Sequence, residues 1–268
     1  MLRYLRYELH KTLKTKTIWI LVIAFLAIRA VDIITSILND KMFPVMMYLS
    51  VHTNTAEIIF PIMGALVGAK EFSNGFMKNV YKQIKPSLFI LSKFIALFVC
   101  VIIFMLIDFI YLYLANVAFG VEESLISNCD YPFSIPYLLT ISIYYLTSAG
   151  IGMAVASLLN TEAVAVTIVL SWMFIYIYVY PIIGELVMNV MPSILVGPDN
   201  IADIDNIYRY LHFGGGYNLV MNYIRGIGVN PTNMPKVMNE ILTFYIRETL
   251  YIVICYLICW LTLKRRRV

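Results

Sequence analysis

The sequence predicts an all-α integral membrane protein with six transmembrane helices, and three observations lead there. Of 268 residues, 61% are hydrophobic and only 13% charged, a composition outside the range of soluble domains. The apolar residues also fall in long runs, and a bilayer core about 30 Å thick needs about 20 of them at 1.5 Å rise. Finally, these runs do not alternate polar with apolar, and they far exceed the roughly ten residues of a barrel strand. Helices are then what satisfies the backbone in lipid.

The first element is an amphipathic helix over residues 1–17. Leu2, Leu5, Leu9 and Leu13 recur at intervals of three and four, with Arg3, Arg6, Lys11, Lys14 and Lys16 around them. Such a helix is expected to lie in the membrane interface. The apolar segment behind it is long and no small-residue cleavage site follows, so it is expected to stay in the protein rather than leave as a signal.

The spans are read at 18–38, 49–69, 88–119, 135–159, 163–183 and 242–263. The third is longer than a bilayer requires and should tilt or protrude. Asn160-Thr161-Glu162 is the only polar break between the fourth and fifth. Between the fifth and sixth, residues 184–241 mix Pro192, Pro198, Pro231 and Pro235 with Gly214-Gly215-Gly216. That segment is too short and too rich in breakers to hold a core of its own, so short external helices on the bundle mouth are expected. Residues 1–268 thus form a single transmembrane domain.

Orientation follows from the basic residues. The head carries Arg3, Arg6, Lys11, Lys14 and Lys16, the loop after the second span Lys70, Lys78, Lys82, Lys85 and Lys93, and the tail Lys264, Arg265, Arg266 and Arg267. These are 14 of the 20 lysines and arginines, all on one face of a six-span chain. The opposite face holds Asp40, Glu122, Glu123, Asp130, Glu185, Asp199, Asp203, Asp205 and Glu240. Basic segments stay in the cytoplasm, so both termini are expected inside. The net charge of +4 belongs to this pattern and to lipid headgroups, and it gives no reason to expect nucleic acid.

A catalytic constellation is missing. His10, His52 and His212 fall in the head, near the outer end of the second span and outside, where they cannot converge on a metal. Cys100, Cys255 and Cys259 read as small apolar fillers within spans, and Cys129 lies outside. Gly64 to Lys70 has three residues between its glycines where a nucleotide loop needs four, and Ala69-Lys70-Glu71 where that loop needs Gly-Lys-Ser/Thr. It reads instead as a small-xxx-small helix face. Glu122-Glu123 lies in an outer loop with no arginine three or four residues on. The chain alone is expected to be no enzyme, to hold no cofactor and to bind no metal.

Charges do interrupt the spans: Arg29 and Asp32 in the first, Glu57 in the second, Asp108 in the third. Unpaired charge in lipid costs at least about 2.5–3.5 kcal/mol, so such residues face protein or water and find partners. Arg29 lies 13 residues beyond Lys16 and Glu57 13 residues before Lys70, each about 20 Å along a helix. They are therefore level if their spans are adjacent. The hypothesis is an Arg29–Glu57 pair shared with Asp32, which either locks the bundle or walls a substrate path. Reversing the charge at either position alone should impair the protein; if membrane expression and stability survive each reversal, the pairing is wrong. In the fourth span, Ser148, Ala149, Gly150, Gly152, Ala154, Ala156 and Ser157 predict a close approach of another backbone. Tyr144, Tyr145, Tyr176, Tyr178 and Tyr180 read as interfacial belt or path residues.

The loop after the second span reads Glu71-Phe72-Ser73-Asn74-Gly75-Phe76-Met77-Lys78-Asn79 and continues through Val80 and Tyr81 to Pro86-Ser87 and Lys93. With the opening Tyr7-Glu8-Leu9-His10-Lys11, this pattern resembles the membrane subunits (permeases) of type-2 ABC exporters. In that family an interfacial helix with a Glu-Leu-x-Lys opening precedes six spans. A Glu-x-x-x-Gly element follows the second span and leads into a cytoplasmic coupling helix, then a lysine starts the third. Phe76 stands where a small hydroxyl residue commonly follows the glycine.

The resemblance implies a coupling helix at 70–87 and two permeases, identical or homologous, around a central path. Cytosolic ABC ATPases, which hold ATP and Mg, would dock on Glu71, Phe72, Gly75, Phe76, Met77, Val80 and Tyr81. Lys78, Lys82 and Lys85 would steer the approach toward acidic rims. The compact build is similar to bacterial plasma-membrane permeases that export, or give immunity to, antimicrobial peptides such as lantibiotics. Drug, lipid or polysaccharide-precursor export fits nearly as well. The alternative is an ion-gradient-driven secondary transporter using Glu57 and Asp108, for which no inverted repeat or broken-helix pair speaks.

Overall fold

Contacts between helices set their directions, and the directions alternate along the chain. A computed structural model describes residues 2–38, 58–68, 85–119, 135–159, 161–175 and 234–265, and seven helices account for nearly all of them. They are α1 (Leu2–Lys14), α2 (Lys16–Leu38), α3 (Ile58–Gly68), α4 (Pro86–Phe119), α5 (Ile135–Leu158), α6 (Glu162–Phe174) and α7 (Met234–Arg265). The described residues form no strand.

The Phe60 ring stacks on Tyr145 with centroids 4.2 Å apart, and Gly64 and Gly68 meet Ala149 and Met153. The offset is 85 residues each time, so α3 and α5 run parallel. Thr140 hydrogen-bonds Tyr245 and Gly150 faces Cys255, an offset of 105, so α5 and α7 are parallel as well. Phe60 meets Phe104 whereas Val67 meets Lys93, which sets α4 antiparallel to α3. Ile18 lines the same small cavity as Lys93 and Phe25 meets Phe104, so α2 runs with α4. Two helices thus point one way (α2, α4) and three the other (α3, α5, α7).

The core lies where α2, α3, α4 and α5 meet. Phe25, Phe60, Phe104, Tyr144 and Tyr145 are buried there as one aromatic cluster. The α5–α7 contact is extensive, and α7 adds Phe244, Cys255, Cys259 and Leu263 to the same core. Several buried hydroxyls are satisfied by the preceding turn of their own helix, whereas Thr140 and Ser142 bond across to Tyr245 and Met105. Ser92 donates to the Phe89 carbonyl at 2.7 Å, Thr147 to Ile143 at 2.9 Å and Ser148 to Tyr144 at 3.0 Å, the pattern that lets small polar residues sit inside a bundle. Many large apolar side chains face outward instead, among them Ile20, Ile23, Leu106, Leu170, Leu250 and Leu257.

Among the described residues, two helical stretches are long and apolar enough to cross a membrane: Pro86–Ile107 and Ile241–Arg265, of 22 and 25 residues. Shorter apolar helices lie at Lys16–Ile28, Ile58–Gly68, Ser142–Leu158 and Ala163–Trp172. The predicted spans 18–38, 88–119 and 135–159 correspond to α2, α4 and α5. Part of 49–69, part of 163–183 and almost all of the external segment 184–241 lie outside the described residues.

Two helix ends add to the predicted bounds. The apolar stretch Ile241–Arg265 lies close to the predicted span 242–263, and its helix extends back to Met234, with Pro235 in the first turn, where a missing N–H costs nothing; Lys236, Asn239 and Glu240 make this turn polar. The N-terminal helix stops at Lys14 rather than 17. Thr15 breaks it, donating its hydroxyl to the Lys11 carbonyl at 2.9 Å, while the Trp19 indole donates to the Leu13 carbonyl at 2.7 Å. Both bonds satisfy carbonyls that a helix end leaves free.

Candidate functional site

Among the described side chains of α1 the deepest are Glu8 and Thr12, not Leu5, Leu9 or Leu13. Tyr4, Glu8 and Thr12 recur every four residues and so share the face that packs on α4. A carboxylate on that face needs a partner, and the partner lies 85 residues away. Lys93, about two turns into α4, places its ammonium 3.4 Å from Glu8 Oε2, with both side chains 1% exposed. Tyr4 donates its hydroxyl to the other oxygen, Oε1, at 2.8 Å. The Lys93 ammonium also donates to the Val67 carbonyl at 3.3 Å, near the C-terminal end of α3, where backbone carbonyls are free and the helix dipole favours a cation. It stands 5.0 Å from the centre of the Phe89 ring, and the Tyr4 and Phe89 rings touch.

Ser157 of α5 and Cys259 of α7, both fully buried, complete the surroundings, and the Ser157 hydroxyl donates to the Ala154 carbonyl at 2.7 Å. One ammonium therefore ties α1 and α3 to α4, at the level where α5 and α7 also end. Glu8 and Lys93 enter the sequence pattern as separate features, an opening motif and a lysine at the start of a span. The structure joins them.

The adjoining cavity is lined by Glu8, Lys11, Thr12, Thr15, Ile18, Leu66, Val67 and Lys93, and its volume of about 20 Å³ suits one water molecule. A ligand pocket is at least an order of magnitude larger, roughly 300 Å³, so among the described residues this cluster is a fastening between helices. Its chemistry is mechanical. A buried ion pair gains little net stability when complete, but losing one partner strands the other charge and costs about 3–5 kcal/mol.

In sequence, residues 69–84 connect α3 to α4. The predicted docking residues Glu71, Phe72, Gly75, Phe76, Met77, Val80 and Tyr81 lie there, outside the described residues, and so does Glu57. Arg29 and Asp32 stand on α2 and Asp108 on α4, but their side chains lie outside what is described, and with them the proposed pairing.

Sequence reasoning passed over a second charged cluster. Arg247 donates from Nε and Nη2 to Glu248 Oε1 at 2.9 and 2.7 Å, with Glu248 fully buried. The guanidinium stands 5.1 Å from the Phe244 ring centre, and Tyr245 hydrogen-bonds Thr140 of α5 at 2.7 Å. The signal was available, since both charges interrupt the predicted span 242–263 as Arg29 and Glu57 interrupt theirs. Glu248 lies 11 residues before Cys259, about 17 Å along the helix, so this cluster and the Lys93 cluster sit at different levels of the bundle.

Cys100, Cys255 and Cys259 are buried free thiols, and no group of three metal-ligating side chains occurs among the described residues. No family model matches the chain, and no curated protein matches it significantly.

Proposed function

We propose that this chain is the membrane-spanning permease subunit of an ATP-driven exporter of the type-2 ABC kind, multi-pass in a bacterial plasma membrane. It crosses six times with both termini in the cytoplasm. A second permease, identical or homologous, completes the substrate path, and separate cytosolic ATPases supply ATP and Mg chemistry. The cargo is an antimicrobial peptide or a comparable amphipathic compound.

The observation that carries this reading is that one buried ammonium holds both ends of the segment 70–87. It grips the Val67 carbonyl just before that segment and belongs to α4 just after it, and through Glu8 it is bolted to α1. A handle on which a motor pushes must not slip against the helices it moves, and this arrangement supplies that rigidity. The alternating helix directions and the outward apolar residues support repeated crossing of a bilayer. The gathering of Lys16, Lys85, Lys93, Lys264 and Arg265 at one end supports a cytoplasmic side there.

The test is retention of the ATPase. Detergent extraction of the tagged chain from its native host should co-purify a nucleotide-hydrolysing partner, and Phe76→Asp or Met77→Asp should reduce its recovery about tenfold or more, as expected for an apolar anchor replaced by charge. Gradient-driven uptake by the purified chain alone would instead establish the secondary transporter.

A further inference from the structure

The only acidic residue of α1 is Glu8, and the structure turns it inward and neutralises it with Lys93. What remains on the outside is cationic: Arg6 and Lys14 are exposed along α1, and Lys16 is exposed at the start of α2. Arg6, His10 and Lys14 recur every four residues, so they form one stripe. Two aromatic side chains are exposed beside it, Tyr7 at 50% and Trp19 at 47%.

The level of this stripe is set by α2. Lys16, Ile20, Ile23 and Ala27 share its exposed face, and Ile20 lies about 6 Å beyond Lys16 along the axis. On the membrane placement proposed above, Ile20 and Ile23 face acyl chains, and Lys16 and Lys14 then stand at headgroup depth. Tyrosine and tryptophan favour the same depth. An acidic protein partner would match the charge but not this depth or the exposed aromatics.

We propose that the outer face of α1 with the first turn of α2, comprising Arg6, Lys14 and Lys16 framed by Tyr7 and Trp19, binds anionic phospholipid headgroups. The consequence reaches the handle, because the opposite face of the same helix holds Lys93 and, through it, the end of α3. Anionic lipid on one side of α1 thereby steadies the clamp on the other. This inference rests on the membrane placement and not on the exporter assignment.

The chain contains three tryptophans, Trp19, Trp172 and Trp260, so Trp172→Phe with Trp260→Phe leaves Trp19 as sole reporter. This full-length chain is reconstituted in phosphatidylcholine vesicles containing rising fractions of either brominated phosphatidylglycerol or brominated phosphatidylcholine, and quenching is followed. One basic residue at a membrane surface corresponds to about a fivefold preference for anionic lipid, so half-maximal quenching should need at least about fivefold less phosphatidylglycerol. The preference should vanish in Arg6→Gln/Lys14→Gln/Lys16→Gln and shrink in about 0.5 M salt, where screening is short-ranged. Coincident curves for the two lipids in the parent chain overturn the proposal while leaving the membrane placement intact. A preference that survives the triple substitution overturns it too, as does loss of an acidic protein from that variant with the lipid curves unchanged. Absence of quenching by either lipid removes Trp19 from the bilayer and takes the membrane placement down as well.

Discussion

Gly152→Ala will separate α3 from α5 and cost the bundle about 3 kcal/mol or more, the upper range for overpacking a closed contact. A Cβ on Gly152 runs into the Pro61 carbonyl, and one on Gly64 runs into the Ala149 carbonyl. The obstacle in both cases is backbone, which cannot swing aside as a side chain can. Helices in lipid associate through close packing and not through apolar burial, because the surrounding tails are equally apolar. A forced gap between α3 and α5 thus removes what holds them. The loss would also unseat Phe60 from Tyr145, since those rings stack on the same helix pair. Gly150→Ala is the control: its Cβ would meet the Phe94 ring edge at 3.3 Å and the Cys255 Cβ at 3.7 Å, contacts that a small side-chain shift relieves. Thermal unfolding of the detergent-solubilised chain, followed by size exclusion, should show Gly152→Ala about 10 °C below the parent and Gly150→Ala within a few degrees. Equal melting of the two would mean that α3 and α5 are farther apart than described.

The glycines mark where sequence reading succeeds and where it ends. A small-residue face at Gly64 and Gly68 and another from Ser148 to Ser157 are visible in the chain, because close approach demands small side chains wherever it happens. Which face meets which is a property of the assembled bundle, and no local period encodes it. The same limit explains α1. Leucines at 2, 5, 9 and 13 suggest an apolar face, yet the packed stripe is centred on Glu8, because an ion pair with Lys93 and a hydrogen bond from Tyr4 make that carboxylate's burial tolerable. Helix extents were legible for α4 and α5 because their ends coincide with Pro86 and with the polar break after Leu159. The start of α7 was not, because hydropathy reports membrane depth and a helix can continue beyond it. Arg247 and Glu248 carried the same signal as Arg29 and Glu57, but their adjacency in sequence lets them satisfy each other without a second helix, so no depth argument drew attention to them. The handle residues from Glu71 to Tyr81 rest on the family resemblance alone.

Lys93→Met separates the two roles of the clamp, and its effect should be the other large one. Methionine fills much of the lysine's volume, so packing is nearly kept, but Glu8 is left buried with only the Tyr4 hydroxyl, and the Val67 carbonyl loses its donor. Stranding one member of a buried pair costs about 3–5 kcal/mol. The stability loss should be seen as a lowered melting temperature and as release of α1, read by protease cleavage near Thr15. Adding Glu8→Gln removes the stranded charge, and the double variant should recover about 2 kcal/mol or more, since uncharged replacements of a buried pair are often close to neutral. Stability alone would not distinguish a bolt from a relay. On the exporter proposal, export activity and partner ATP hydrolysis do: in the double variant the bundle is whole, but the ammonium no longer ties Val67 and Glu8 to α4. ATP turnover should then persist while cargo export falls at least tenfold. Full export by a stable double variant would show that the fastening serves folding only, and the handle would have to transmit force by another route.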